Sequence, residues 1–205
     1  MKRVIATLVT DGSSDRLLKP LIELLFIEHT DLPYQVNCAE GLAPVAAGLK
    51  SRIESALELF PCDFLFVHRD AEGIDSAHRQ QEIEKNWPTD VQNTTLICVV
   101  PVRMTEAWLL TNPIPIRLAV GNGNGIVPLE LPSLKNIEAV PNAKEILFAA
   151  LKTATMWSAH RKARFVPDRY RHRVSELTDD LMPLRQLTSF NHLEAQVKKH
   201  LQALL

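Results

Sequence analysis

Hydrophobic positions along the chain recur with two different periods. Residues 3–10 (RVIATLVT) are rich in β-branched side chains, and after the run Asp-Gly-Ser-Ser-Asp at 11–15, Leu17, Leu18, Leu21, Ile22, Leu24 and Leu25 fall at helical spacing. The pattern predicts strand, loop, helix. A second short strand is expected over Tyr34 to Cys38, after an Asp-Leu-Pro turn, and a helix over 43–60 carries apolar positions at Leu49, Ile53, Ala56 and Leu57. Residues 64–68 (FLFVH) form an unbroken apolar run, as a strand covered on both faces requires. A helix over 75–86 follows, stopped by Trp87-Pro88, then a fourth strand over 94–100 (TTLICVV) and a helix beginning at Thr105. Strands alternating with helices of this length specify βαβ crossovers, so the fold class is α/β, with a mostly parallel central sheet flanked by helices.

From Asn112 the pattern changes. Pro113, Pro115, the Gly-Asn-Gly-Asn-Gly run at 121–125, Pro128, Pro132 and Pro141 break any long element, and helical spacing resumes over 142–156, 174–181 and 193–205. The expectation is one domain over 1–205, with a sheet core at 1–111 and a loop-rich, helical C-terminal cap at 112–205. With 205 residues, such a chain buries about 70 per cent of its unfolded surface without needing disulfides or a structural metal. Cys38, Cys62 and Cys98 are odd in number and widely spaced, which argues for buried reduced thiols rather than a zinc site. No apolar stretch nears the ~20 residues that cross a bilayer, and Met-Lys-Arg leads into the first strand without a cleavage site, so a cytoplasmic protein is expected. The net charge of −1 conceals an acidic body (−6 over 1–150) and a basic remainder (+5 over 151–205). That polarity suits a protein holding divalent cations in one place and an anionic polymer in another, or plain internal complementarity.

In open parallel sheets, ligands collect beyond the carboxyl ends of the strands. Three of the four expected strands run into acids there: Asp11-Gly12-Ser13-Ser14-Asp15, Asp70-Ala71-Glu72-Gly73, and Arg103-Met104-Thr105-Glu106. Asp70 and Glu72, two apart in an extended segment, would point the same way and share a cation, and oxygen ligands without His or Cys in the motif favour Mg²⁺ or Mn²⁺. Each acid also has a plain structural use: Asp11 or Ser13 can cap the first helix, Asp15 suits its first turn, and Asp75 or Ser76 can cap the third.

These motifs, in this order, resemble those of the Toprim-like proteins related to the DUF4276 and RloB groups. The usual Glu-Gly-x-Thr-Glu/Asp stands here as Asp11-Gly12-Ser13-Ser14-Asp15, and the usual Asp-x-Asp as Asp70-Ala71-Glu72 after His68-Arg69. Glu106-Ala107-Trp108-Leu109-Leu110 is a close likeness, and Pro141-Asn142-Ala143-Lys144-Glu145 and Thr188-Ser189-Phe190 are similar to later family positions. The resemblance implies Mg²⁺-assisted phosphodiester cleavage, in a setting of phage defence beside an ATPase partner. Asp70, Glu72 and Asp11 would be metal ligands, Asp11 and Glu106 catalytic groups, and Arg69 or Arg103 phosphate contacts. Gly12, Ser13 and Asp15 would shape the loop. Asp11 is one methylene shorter than the family's Glu and Glu72 one longer than its Asp. The two changes either compensate or leave a non-catalytic nucleic-acid-binding or assembly subunit; a small nucleotide phosphohydrolase is a third reading.

Residues 160–173 (HRKARFVPDRYRHR) place six Lys+Arg and two His among Phe165 and Tyr170. Backbone phosphates suit such charge and unpaired bases could stack on the rings, with Arg161, Arg164, Arg171 and Arg173 as the phosphate contacts; a solvated basic loop is the alternative. The glycine run at 121–125 lacks the Lys-Ser/Thr of a phosphate-binding loop and reads as a turn. No Gly-x-Ser-x-Gly elbow is present. Trp108 is expected as a core anchor, and Met104, Met156 and Met182 as core fillers.

Overall fold

The four strands form as the alternation requires: β1 Val4–Val9, β2 Tyr34–Cys38, β3 Phe64–His68 and β4 Thr95–Val99. In the computed structural model, which describes residues 3–10 and 16–204, they make one all-parallel sheet in the order β2-β1-β3-β4. Val4 pairs with Tyr34, Ala6 with Phe64, and Phe64 with Thr95. The chain leaves β1 for β2 on one side and returns to β3 on the other, so the order reverses between β1 and β3.

The period of two sorts side chains cleanly onto two faces. Val4, Ala6, Leu8, Phe64, Phe66, Ile97 and Val99 enter a large core with α1 (Leu18–His29). Val9, Leu65, Val67 and Cys98 enter a thinner one beneath α2 (Gly48–Leu59) and α3 (Ser76–Lys85). The large core also takes Trp108 and Leu109 of α4 (Glu106–Leu109), Ile116 of α5 (Pro113–Ala119), Leu147 and Leu151 of α6 (Ala143–Ala154), and Val174 of α8 (Arg171–Glu176). Phe190, Leu193, Val197 and Leu201 of α9 (Thr188–Gln202) complete it, so the helical cap shares the sheet's own core. A short α7 (Ala159–Ala163) lies between α6 and α8.

Several boundaries differ from the sequence reading. The helix expected over 43–60 begins at Gly48, whose φ of +89° separates it from a single turn at Val45–Ala47. Helix spacing near 174–181 belongs to α8, which starts at Arg171 and ends at Glu176. The last helix starts at Thr188, not 193, because its cap comes from a distant segment: Glu138 accepts from the Thr188 and Ser189 N–H groups at 2.9 Å each. Asp75 caps α3 through the Ala77 N–H, 3.0 Å. Met156 and Met182 are exposed rather than core fillers, while Met104 packs on the large core. Trp108 is buried, donates to Ser189 Oγ at 3.0 Å and meets Phe190 edge-on at 5.4 Å. All three cysteines are free, and burial pushes the Cys98 thiol up to about 12, so it is inert. No described helix is long and apolar enough to cross a membrane.

Candidate active site at the carboxyl end of the sheet

The β3–β4 ladder does not stop where the strands formally end. Arg69 N–H donates to Val99 at 3.1 Å, Ala71 to Pro101 at 2.9 Å and Glu72 to Arg103 at 3.3 Å, so both loops are stitched together beyond the sheet. At the other side of the reversal, buried Arg52 donates to the carbonyls of Ala43 and Thr10, 2.6 Å each, fixing the end of β1. Ligands of open α/β sheets sit beyond strand ends at such a reversal of order.

Asp70 projects from this platform. Its Oδ1 lies 3.1 Å from His68 Nε2 and 3.3 Å from Thr105 Oγ1, and Thr105 Oγ1 is 2.9 Å from the same imidazole nitrogen. His68 is 2% exposed and Thr105 fully buried, whereas the Asp70 side chain keeps 27% of its surface. With Nε2 protonated, the ring donates to Asp70 and to the Thr105 hydroxyl, which in turn donates to the same carboxylate oxygen. Asp70 Oδ2 has no hydrogen-bond partner among the described residues. One oxygen is thus locked and the other presented.

The other expected ligands do not join it. Asp70 and Glu72 were expected to share a face of an extended segment. Instead Glu72 takes φ 53° in a turn, leaving a carboxylate that is three-quarters exposed and 3.9 Å from Arg79. Gly73 follows at φ 87°, and a Cβ there would come within 3.2 Å of the Arg103 guanidinium, which lies across the turn. Glu106 is buried and bound to Arg171 at 2.8 Å, so its carboxylate is an anchor and not an available catalytic group. Among the described residues, Asp70, Glu72 and Glu106 do not form a group of three ligand atoms within 4.8 Å of one another. Asp11, Gly12, Ser13 and Asp15 lie outside the described residues.

The one described group that does meet that distance is Glu28, His29 and Glu194. It stands at the opposite end of the sheet, where α1 turns back towards β2, and Arg185 already occupies it. The guanidinium contacts both Glu28 and Glu194, and His29 Nε2 is 2.8 Å from Glu194. Arg185 first, and His29 after it, hold the Glu194 carboxyl below its ordinary range, and Glu194 and Glu28 in turn raise the Arg185 pKa.

The expected phosphate contacts divide. Arg69 pairs with Glu82 at 3.3 Å. Arg103 has no carboxylate partner among the described residues. Arg171, expected as a phosphate contact, is buried and paired with Glu106 and Asp168. Arg173 is exposed but pairs with Glu176 at 3.0 Å. Arg161 and Arg164 are exposed, as is Arg169, which the sequence reading passed over. Phe165 is not open to bases, and Tyr170 is half-buried against it. Phe165 is 7% exposed and stacks on Tyr170 at 4.6 Å, with Trp157 edge-on at 5.7 Å.

His68, Thr105 and Arg79 were the other residues missed. His68 and Thr105 flank the recognised acids, and a His two residues before a strand-end Asp was the available signal; nothing in the sequence marked Arg79, buried and 2.5 Å from Glu82. A cavity of about 670 Å³ opens beside the end of β2, lined by Arg16, Lys19, Cys38, Glu40, His172 and Glu176. Its cations are matched by acids, Arg16 to Glu40 at 3.0 Å and Lys19 to Glu23 at 2.5 Å, so it has no evident anion preference. Burial, then Arg171, lowers the His172 pKa. Comparison of the chain with protein-family models, with curated proteins and with solved structures finds no significant match, and any activity has to be argued from the site itself.

Proposed function

We propose that the protein is a Mg²⁺-dependent phosphoryl-transfer enzyme, most simply a nuclease, acting on nucleic acid at the carboxyl ends of β1 and β3. Asp70 carries this reading: a carboxylate at the reversal of strand order, with one oxygen fixed by buried His68 and Thr105 and the other presented. Mg²⁺ keeps several waters and is commonly held by only one or two carboxylates together with substrate phosphates, so a single rigid carboxylate fits that ion better than a closed multi-ligand cage. Asp70 would be the ligand in hand, and Asp11, next after β1 in sequence, the second. When bound, the ion supplies Lewis-acid stabilisation of phosphoryl oxygens and of an attacking water. Thr105 and His68 keep the Asp70 oxygen from rotating away, and Arg103, lying over Gly73, offers a guanidinium to a phosphate oxygen.

A specific observation favours a second reading. Glu106 is committed to Arg171 and Glu72 faces Arg79, which leaves a reduced acidic set such as a non-catalytic nucleic-acid-binding subunit, working with an ATPase partner, would tolerate. Titration with Mn²⁺ and turnover of labelled single- and double-stranded DNA and RNA separate the two. The enzyme reading expects Mn²⁺ binding and cleavage by the wild type, both lost in Asp70→Asn. Nucleic-acid binding without cleavage on any substrate, and with Mn²⁺ affinity indifferent to Asp70, would establish the binding subunit.

A further inference from the structure

We infer that the surface formed by residues 157–169 grips the phosphate backbone of a double-stranded nucleic acid and does not read unpaired bases. Arg161, Arg164 and Arg169 are exposed, none has a carboxylate partner among the described residues, exposed His160 precedes them in sequence and half-exposed Lys162 lies between the first two. The only acid of the stretch, Asp168, is held by Arg171 at 3.1 Å. The positive charge is therefore not neutralised internally.

Single-strand binders combine such charge with open aromatic faces on which bases stack. Here Phe165 is buried, and the half-buried Trp157 and Tyr170 pack on it. Arg161 lies over Trp157, 4.2 Å from its centroid; Phe165 meets the same indole edge-on, and Tyr170 covers Phe165. The stack serves the cations instead, holding the Arg161 guanidinium in one place so that less freedom is lost on meeting a phosphate. A duplex hides its bases and presents one charge per ~1.7 Å of axis, about twice that of one strand, which suits a row of guanidinium groups with no open aromatic face beside them. An anionic lipid surface is the poorer match, because α7 (AHRKA) has no apolar face to insert.

Arg171, two residues beyond the segment, is bound to Glu106, whose neighbour Thr105 holds Asp70, so the segment and the candidate centre are tied into one part of the fold. Nucleic acid as the polyanion rests on the proposed function; the grip itself does not depend on catalysis.

The test is fluorescence anisotropy in EDTA across a KCl series, using a mixed-sequence DNA duplex and its unpaired strand. Wild type should bind the duplex more tightly, and Arg161→Gln, Arg164→Gln and Arg169→Gln together should weaken it and reduce the log–log salt slope by about 0.9 per lost contact, about 2.7 in all. Arg173→Gln, whose guanidinium is already held by Glu176, should leave the slope unchanged, and equal melting temperatures exclude misfolding. An unchanged slope in the triple variant, or tighter binding of the single strand, overturns the inference. So does retention on phosphatidylserine vesicles, abolished by the triple change, without duplex binding. If no protein cleaves the duplex in a parallel assay with Mg²⁺ or Mn²⁺ in place of EDTA, yet the triple variant loses the duplex, the grip stands and the catalytic reading falls.

Discussion

The two ends of the sheet hold carboxylates in opposite ways. At the amino end, Glu28, His29 and Glu194 satisfy the distances of a metal site, but Arg185 sits among them as the cation, shared between two acids at a partly exposed surface. At the carboxyl end no such group exists among the described residues; instead one acid, Asp70, is fixed by buried His68 and Thr105 and left with a free oxygen. Proximity of ligand atoms is thus a poor guide where a guanidinium has already taken the charge. A carboxylate whose orientation is set by groups that cannot follow a ligand is the better candidate, because its ordering cost was met on folding.

The sharpest way to break this contrast is with metal. Mn²⁺ binding should vanish in Asp70→Asn and persist in Glu194→Gln; the reverse result would move the metal site to the amino end. Next in size is Glu106→Ala, which leaves the Arg171 charge buried without its main partner and should cost about 3–5 kcal/mol in denaturant unfolding. Adding Arg171→Met should recover most of that loss, since an apolar side chain of similar length needs no counter-ion. Failure to recover would mean that the pair sets the geometry of α8 as well as balancing charge.

Why the fold was legible and the site only partly so follows from range. FLFVH and YQVNC became strands with the expected bounds because an apolar run or a turn-bounded alternation is a local signal. Asp75 behaved as a local cap for the same reason. Glu106 and Arg171 are 65 positions apart, and nothing near either announces that each neutralises the other. The assumption that Asp70 and Glu72 share a face failed at one backbone angle: a positive φ at Glu72, with Gly73 following, ends the extended geometry on which it depended. Basic and aromatic residues interleaved in 160–173 could not reveal that the rings pack against one another while Arg161, Arg164 and Arg169 reach solvent.

A smaller effect tests whether the segments around Glu138, Ser189 and Trp108 act as one unit with the carboxyl end. Glu138 accepts from two backbone N–H groups of α9 and from Ser189, whose Oγ takes the Trp108 indole N–H. Glu138→Ala should cost about 1–2 kcal/mol, the range of a lost N-cap. Trp108 fluorescence in the folded variant should shift as its hydrogen bond loosens. An unchanged spectrum would confine the role of Glu138 to the helix start.

The smallest effect belongs to the amino end. Arg185→Gln removes a cation whose partners are partly solvated, so at neutral pH it should cost about 1 kcal/mol or less. Its pH dependence is diagnostic. Glu194 is held below its ordinary value, by Arg185 first and His29 after it, so it contributes stability that is present above the unfolded carboxyl value of about 4.3 and lost as pH falls through its lower folded value. The wild type and Arg185→Gln should therefore differ at pH 7, and their unfolding curves should converge as pH drops below about 4. A difference that persists undiminished in acid would show that Arg185 stabilises through the packing of its stem between α1 and α9 rather than through charge.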